Sequence, residues 1–211
     1  MEIAAQELNA QDAYRWLTMT VIPRPIAWIT TVSKEGQVNA APFSFFTCVS
    51  SHPPLIGVTL MSRDGRPKDT LGNILDTHEF VINVVTKENL TACNLTSIDA
   101  PGSFSEIDYA DLTLSPAATV SVPRLAESPV HLECRLNTVM RFGIDDQLEH
   151  PTHFVVGEVL HFGVDDQVLR NGKIDLDALH AIGRLSGPLY CTTESLLRLE
   201  RPRFSDYQPS H

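Results

Sequence analysis

The chain has 211 residues and a formal net charge of −10 at pH 7, with 26 Asp and Glu against 16 Lys and Arg. Hydrophobic residues make up 43% and charged residues 20%, the balance of an ordinary globular domain with one sizeable core. This acidity argues against a general nucleic-acid surface, and the longest apolar runs are too short to span a bilayer. A small anionic ligand is still compatible with it, because a few local cations are enough to bind one.

The cysteines are scattered along the chain, at Cys48, Cys93, Cys134 and Cys191, without a CxxC pair. Zinc sites and thioredoxin-like motifs use closely spaced pairs, so the sequence predicts neither, and we assign no metal site. Free thiols in a reducing compartment are the simpler interpretation. The first residues, MEIAAQELNAQDAYRW, are acidic and polar where a secretory signal would be basic and then apolar. We therefore expect a cytoplasmic protein.

The first third of the chain predicts a short helix and three strands. The helix covers 10–17, and strands over 25–32 and 38–49 form a hairpin around the turn SKEGQ. Pro42 interrupts the second strand, which predicts an edge or a bulge of the sheet at that point. After HPP, a third strand covers 55–60.

A helix is predicted after a basic loop. Leu71, Ile74 and Leu75 recur at helical spacing, and Asp69 or Thr70 can cap the start of the helix. The strand EFVINVV and the helical segment ENLTACNL follow it.

The second half of the chain predicts a loop-rich segment over 98–129 and then two strands, over 130–140 and 152–164, with the two-residue period of half-buried strands. From 183 onward, Gly and Pro leave room for two or three turns of helix at most. About six strands and few helices predict a mainly β fold, an antiparallel β-barrel with helical insertions, and not a parallel doubly wound sheet. No repeat or linker divides the chain, so we expect a single domain over 1–211.

Three cations gather in the loop SRDGRPKDTLGNI, at Arg63, Arg66 and Lys68. The loop leads into the predicted helix, whose first N–H groups have no partner within the helix and carry partial positive charge. Together with nearby hydroxyl groups, this arrangement predicts an anion site. The alternative is a solvated turn in which the cations pair with the acidic residues of the same loop.

Three segments in this order, RPIAWITT, NAAPFSFF and KDTLGNI, resemble the flavin reductase-like family, whose domain is an FMN-binding split barrel of antiparallel Greek-key type. That family includes flavoredoxins and the reductase components of two-component flavin monooxygenases. The likeness continues through VPRLAESPVHLECRL, VVGEVLHF and IGRLSGPLY. It implies a domain core over about 16–190 and a C-terminal arm over 191–211.

The resemblance implies that FMN is bound noncovalently at the interface of a homodimer. The KDT motif with Arg66 would contact the phosphate and the ribityl chain, and Asn39 with the segment 41–45 would line the isoalloxazine. Arg184 and Tyr190 would border the substrate side. Position by position, the resemblance assigns cofactor binding to Thr30, Thr31, Asn39, Ala41, Pro42, Phe43, Ser44, Phe45, Arg66, Lys68, Asp69, Thr70 and Asn83.

Several of these residues also have a purely structural interpretation. Thr30 and Thr31 are ordinary strand formers, and the phenylalanines of the second strand are typical core residues. The segment of Arg184 and Tyr190 equally fits an arm that packs against the barrel or the other subunit. Pro42 has the better physical case, because it leaves the strand ladder open, and open backbone groups suit a polar ring edge.

No residue is assigned a catalytic role, since a flavin carries its own hydride chemistry. GxGxxG and P-loop motifs are missing, so a nicotinamide nucleotide would stack directly on the flavin. Three functions remain open: an NAD(P)H-dependent FMN reductase that feeds a partner oxygenase, a flavoredoxin-like carrier that takes electrons from a redox protein, and a flavin-free structural relative. We favour the first.

Overall fold

The structure, a computed structural model, describes residues 1–62, 68–142 and 151–204. Two 3₁₀ turns, Ala5–Glu7 and Asp166–Val168, accompany the α-helices in these ranges, which are α1 (Ala10–Thr20), α2 (Asp69–Thr77), α3 (Leu90–Leu95), α4 (Glu106–Tyr109) and α5 (Leu176–Leu179). No helix in the described ranges has the length and the apolar content that crossing a membrane requires.

The described strands form one large antiparallel sheet and three short hairpins. In chain order they are β1 (Ala27–Val32), β2 (Val38–Phe43), β3 (Phe46–Ser51), β4 (Pro54–Met61), β5 (Glu79–Val84), β6 (Leu114–Ser115), β7 (Arg124–Leu125), β8 (Val130–Phe142), β9 (Thr152–Val164), β10 (Leu169–Arg170), β11 (Lys173–Ile174), β12 (Ile182–Arg184) and β13 (Tyr190–Thr192).

The large sheet closes into a barrel. Its strand order is β2-β1-β5-β8-β9-β4-β3, so β2 and β3 lie at opposite edges. Only Ser44 and Phe45 separate these two strands in the chain, and so short a connection spans about 10 Å at most. The sheet therefore has to curl until its edges meet. At this seam, which we define as Ser44–Phe45, the N–H of Thr59 in β4 donates to the carbonyl of Phe45 at 2.8 Å.

Strand β1 is buried on both faces because it lies between the barrel interior and a helical layer. Ala27 and Ile29 pack in the interior cluster with residues of β4, β5 and β9. Trp28 points the other way, into a second cluster that includes residues of α3 and α4. Its indole N–H donates to the hydroxyl of Thr96 at 2.9 Å, which satisfies the one polar atom of this buried ring.

Helix α2 closes one end of the barrel. Leu71 and Ile74 are almost fully buried in the interior cluster, and burial of each side chain stabilises the fold by about 1.5–3 kcal/mol. The helix N-terminus lies beside β2, where the side-chain amide of Asn39 donates to the hydroxyl of Thr70 at 3.0 Å. Lys68 occupies the N-cap position without a side-chain capping bond, so the expected cap at Asp69 or Thr70 was wrong.

The hairpin of β1 and β2 confirms the expected pairing, with Ala27 opposite Phe43. The expected single strand over 38–49 is in fact two strands, because the chain turns at the seam. Pro42 lies inside β2, opposite Trp28, and not at a break in the strand. Its missing N–H is tolerated because β2 is an edge strand of the described sheet.

The helix content of the C-terminal region lies within the upper limit of two or three turns that the sequence predicted. Within the described residues 183–204 the structure has no α-helix, and the chain instead forms the hairpin of β12 and β13. Each of these strands is only three residues long, too short for a periodic pattern to reveal. The hairpin carries Arg184 and Tyr190 as directly opposite partners.

Candidate functional site

The first cavity lies where the N-terminus of α2 meets β2. Its volume is about 530 Å³, within the range of small-molecule sites. Residues of β2, the start of α2 and the segment after α3 line it together with Glu106 of α4: Asn39, Ala41, Pro42, Phe43, Lys68, Asp69, Thr70 and residues 96–102.

Lys68 is the cation that the described residues bring to the first cavity. It stands at the N-cap of α2, where the N–H groups of Asp69 and Thr70 have no acceptor within the helix. These donors, the helix dipole and the Lys68 ammonium together favour an anion at this corner. Arg66, the other cation expected here, lies outside the described residues.

The first cavity also carries carboxyl groups, at Asp69, Asp99 and Glu106. Burial raises the pKa of Glu106, and the neighbouring charge of Asp69 raises it further. Carboxylates accept hydrogen bonds from hydroxyl groups. The cavity therefore combines a cationic corner at Lys68 with an acceptor-rich wall, an arrangement that suits an anion attached to a hydroxylated chain.

The second cavity adjoins the first and has a volume of about 320 Å³. Pro42, Phe43 and Ser97 line both cavities, so the two adjoin along these residues, and we refer to them together as the cleft. Residues of α1, the segment before β1, the seam, α3 and the β12–β13 hairpin form the rest of its wall. Its described lining includes two arginines, Arg24 and Arg184, and no Asp or Glu.

Arg24 is buried, with 5% of its surface exposed, and its guanidinium is held by neutral groups. Nη1 donates to the carbonyls of Thr18 and Val21 at 2.8 and 2.7 Å, and Nη2 donates to the carbonyl of Leu185 at 2.8 Å. Nε lies 3.4 Å from the hydroxyl of Ser44. These bonds tie α1, the seam and the hairpin around one positive charge.

Arg184 lies directly opposite Arg24 in an antiparallel bridge, with backbone N–O distances of 3.0 and 2.8 Å. Its guanidinium sits 4.4 Å from the centre of the Tyr190 ring, a cation–π contact. Burial lowers the pKa of Arg24, the phenol of Tyr14 opposes this, and the charge of Arg184 lowers the pKa further. The second cavity thus concentrates positive charge in an acidic protein.

Most of the residues that the sequence analysis assigned to a cofactor, and both of those assigned to the substrate side, lie along this cleft. Asn39, Ala41, Lys68, Asp69 and Thr70 line the first cavity. Ser44, Arg184 and Tyr190 line the second, and Pro42 and Phe43 line both. Phe45 lines neither cavity; its ring stacks on Tyr14 at 6.1 Å and lies 5.8 Å from the guanidinium of Arg24. Contact of any of these residues with a cofactor stays a prediction.

The structure does not bring Thr30, Thr31 and Asn83 to either cavity. All three are fully buried, and their side chains form interior hydrogen bonds. Thr30 donates to the carbonyl of Pro123 at 2.7 Å, and Thr31 accepts from the amide of Asn73 in α2 at 3.0 Å. The Asn83 amide donates to the carbonyl of Trp28 at 3.0 Å and accepts from the N–H of Leu125 at 2.9 Å.

Arg24 and the segment 96–102 are two parts of the cleft that sequence reasoning missed. Arg24 opens the motif RPIAWITT, yet charge alone does not separate a buried arginine from a solvated one. The segment 96–102 carries no recognisable motif, and it reaches the cleft because α3 ends beside β2.

The sequence model of the "Flavin reductase like domain" matches residues 19–189. The chain belongs to the flavin reductase-like family. Its antiparallel barrel is the split barrel of flavin reductases, which confirms the fold class predicted from the sequence. Membership in the flavin reductase-like family supports a flavin cofactor and an oxidoreductase activity.

Several proteins resemble this flavin reductase-like chain over nearly its whole length. An uncharacterized protein of Halalkalibacterium halodurans is 42% identical over 206 residues, 97% of this chain and 98% of that protein. Nitrilotriacetate monooxygenase component B of Bacillus cereus has a TM-score of 0.89 and 33% identity, over 94% of this chain and 98% of that one. The 2-nitrobenzoate 2-nitroreductase NbaA of Pseudomonas fluorescens has a TM-score of 0.87 and 31% identity, over 100% and 99%.

Proposed function

We propose that the protein is an FMN-binding oxidoreductase, an NAD(P)H-dependent flavin reductase that supplies reduced flavin to a partner. The observation that carries this proposal is that the two cavities adjoin at Pro42 and Phe43, with a cationic corner at Lys68 in the first. FMN has a matching order of parts: a phosphate, a hydroxylated chain and a flat ring with a polar edge.

In this proposal the phosphate lies at the N-terminus of α2. Lys68, the N–H groups of Asp69 and Thr70, and Arg66 of the preceding loop bind it. The ribityl hydroxyls donate to the carboxylate wall of the first cavity. Thr30, Thr31 and Asn83 then act indirectly, because their hydrogen bonds hold α2 and β1 in place.

The ring lies against β2 and the seam. Ala41, Pro42 and Phe43 offer it an apolar wall, and Asn39 and Ser44 offer polar side chains. The outer edge of β2 pairs with no strand in the described sheet, so backbone groups remain to bind the polar edge of the ring. When bound, the flavin supplies the hydride chemistry, while these residues bind it, orient it and exclude water.

The electron donor and acceptor approach from the second cavity. Arg184 and Tyr190 border that side, where a nicotinamide could stack on the ring. A neighbouring structure is named as a monooxygenase component B, which supports a partner oxygenase for this chain as well. We further propose a homodimer, and a cytoplasmic location in keeping with four free cysteines.

The test is a visible spectrum of the purified protein with FMN, followed by separate additions of NADH and NADPH without oxygen. We expect a bound-flavin spectrum and rapid bleaching by at least one nucleotide. Slow bleaching by both nucleotides and rapid bleaching by a reduced redox protein would instead identify a flavoredoxin-like carrier. A protein that stays colourless after soaking with FMN would contradict the proposal.

A further inference from the structure

The second cavity has a charge that the proposed flavin site does not require. Arg24 and Arg184 stand directly opposite each other in the antiparallel bridge. Like charges at such a position destabilise the pairing. No Asp or Glu among the described lining residues offsets them, although the chain as a whole carries a net charge of −10.

The hydrogen-bond partners of Arg24 are neutral groups, so its charge has no counter-ion among the described residues. Its guanidinium has five N–H donors, of which four reach three backbone carbonyls and the hydroxyl of Ser44. The remaining Nη2 donor has no acceptor among the described residues. Arg184 donates one hydrogen bond to the carbonyl of Gly187, and its guanidinium lies over the face of the Tyr190 ring. Both guanidinium groups are therefore fixed in place and able to bind an anion.

The shape of the cavity limits which anion fits. Its volume of about 320 Å³ lies at the small end of ligand sites, so it holds one ring and its substituents but not a whole dinucleotide. Tyr14, Phe43 and Tyr190 supply aromatic surface around the two cations. Aromatic walls beside a fixed guanidinium suit a flat ring that bears a carboxylate.

We propose that the second cavity binds a small ring-bearing organic acid, with its carboxylate on Arg24 and Arg184 and its ring against the tyrosines. This proposal rests on the proposed function in one respect, since the acid would lie beside the flavin ring at Pro42 and Phe43. The substrate class of the protein would then be cyclic or aromatic carboxylates.

Titration calorimetry with benzoate and with benzamide, its neutral analogue, tests the charge requirement. We expect benzoate to bind the FMN-loaded protein at least about tenfold more tightly than benzamide, because a charge-assisted bond to a fixed guanidinium contributes this much. Inorganic phosphate is titrated in parallel. Equal affinity for benzoate and benzamide would overturn the proposal, as would tighter binding of inorganic phosphate, which would make the pair a phosphate subsite.

Arg184→Gln removes one charge of the pair, and Arg198→Gln removes the charge of an exposed arginine of the C-terminal arm as a control. We expect the first variant alone to weaken benzoate binding about tenfold or more while FMN affinity stays unchanged. Arg24→Lys, which keeps a charge in the buried position, should weaken benzoate less than Arg184→Gln does. An unchanged benzoate affinity in Arg184→Gln, or an equal loss of FMN affinity, would contradict the proposal.

The two proposals fail in distinguishable ways. Benzoate titration is repeated on the flavin-free protein. Arginine-dependent benzoate binding in a protein that never takes up FMN would support the acid site and contradict the flavin function. FMN binding and turnover without any arginine-dependent benzoate binding would do the reverse.

Discussion

At the residue scale, polar side chains serve two different purposes in this protein: some line a cavity, and others hold the core together. Lys68 projects into a cavity from the start of α2, and nothing in the described fold depends on its charge. Asn83 is fully buried, and both ends of its amide bind backbone groups of the core. A change at the first residue should therefore affect ligand binding, and a change at the second should affect folding.

Lys68→Ala should weaken FMN binding by about tenfold or more, because it removes a charge-assisted hydrogen bond to the phosphate. Fluorescence titration of the flavin-free protein measures this affinity. Lys173→Ala, which changes an exposed lysine of β11, is the matched control and should bind FMN as the unaltered protein does. The phosphate assignment would be wrong if the two variants bound FMN equally well.

Asn83→Ala should lower the free energy of unfolding by about 2–3 kcal/mol. The substitution leaves the buried N–H of Leu125 without its acceptor, and an unsatisfied buried group is costly. Urea denaturation measures the difference, with Asn137→Ala at an exposed position of β8 as the control. A loss of stability no larger than that of the control would show that the amide is dispensable.

The motifs of the sequence predicted which residues line the cleft better than they predicted what those residues do. KDT and NAAPFSFF place Lys68, Asn39 and Ser44 at the cleft. Thr30 belongs to the equally distinctive motif RPIAWITT and Asn83 to the strand EFVINVV, yet both serve the core, since a sequence pattern does not reveal which face of a strand meets a cavity. Arg24 was missed because its burial depends on α1 and the β12–β13 hairpin, which are remote in sequence.

At the scale of elements, two carboxylates, of which Glu133 is buried, fasten the segment between β6 and β7 to the barrel. Glu133 in β8 accepts from the N–H groups of Ala118 and Thr119 at 2.7 and 2.6 Å. Glu79 at the start of β5 accepts from the N–H of Ser121 at 2.8 Å. The barrel wall thus orders a segment that contributes no long strand of its own.

This fastening should depend on pH. Burial raises the pKa of Glu133, but the hydrogen bonds from Ala118 and Thr119 outweigh burial, and the net pKa lies below its ordinary value of 4.5. A carboxyl group with a lowered pKa in the folded state contributes stability above its unfolded pKa and loses that contribution as the pH falls through the folded value.

Glu133→Gln should therefore be less stable than the unaltered protein at pH 7, and the gap should narrow below about pH 4.5, where the unaltered protein loses the contribution of this carboxylate. Urea denaturation over a range of acidic pH values measures the gap, with the exposed Glu200→Gln as the control. A gap that stays constant with pH would mean that the charge of Glu133 contributes nothing.

The elements themselves were largely predictable where a periodic pattern was long. The apolar spacing of Leu71 and Ile74 predicted α2, and the alternation in 130–140 and 152–164 predicted β8 and β9. The division of 38–49 into two strands was not predictable, because the break at the seam results from barrel closure and not from local propensity. The short hairpins were not predicted either, because their strands contain too few residues to show a periodic pattern.

At the scale of the whole molecule, the C-terminal arm has no place in the barrel core. Leu197 and Leu199 are 93% and 92% exposed. Apolar side chains exposed to this degree in one segment indicate a surface that packs against something else. A second copy of the chain, as the family resemblance implies, would provide it.

We therefore expect sedimentation equilibrium to give about twice the mass of the 23.4 kDa chain at micromolar concentration. Leu197→Asp combined with Leu199→Asp should shift the protein toward the single-chain mass, because it places charges on the packing surface. Arg201→Gln in the same arm should leave the mass unchanged. A single-chain mass for the unaltered protein would contradict the homodimer.

The seam has a consequence for the thermal stability of the whole barrel. Ser44 and Phe45 join the two edges of the sheet, and Ser44 also faces the second cavity beside Pro42 and Phe43. A ligand bound there contacts the barrel at the junction of its two edge strands, β2 and β3. At a free ligand concentration of a hundred times the dissociation constant, binding would raise the free energy of unfolding by about 2.7 kcal/mol. Variants that bind the ligand more weakly should therefore also have a lower melting temperature in its presence.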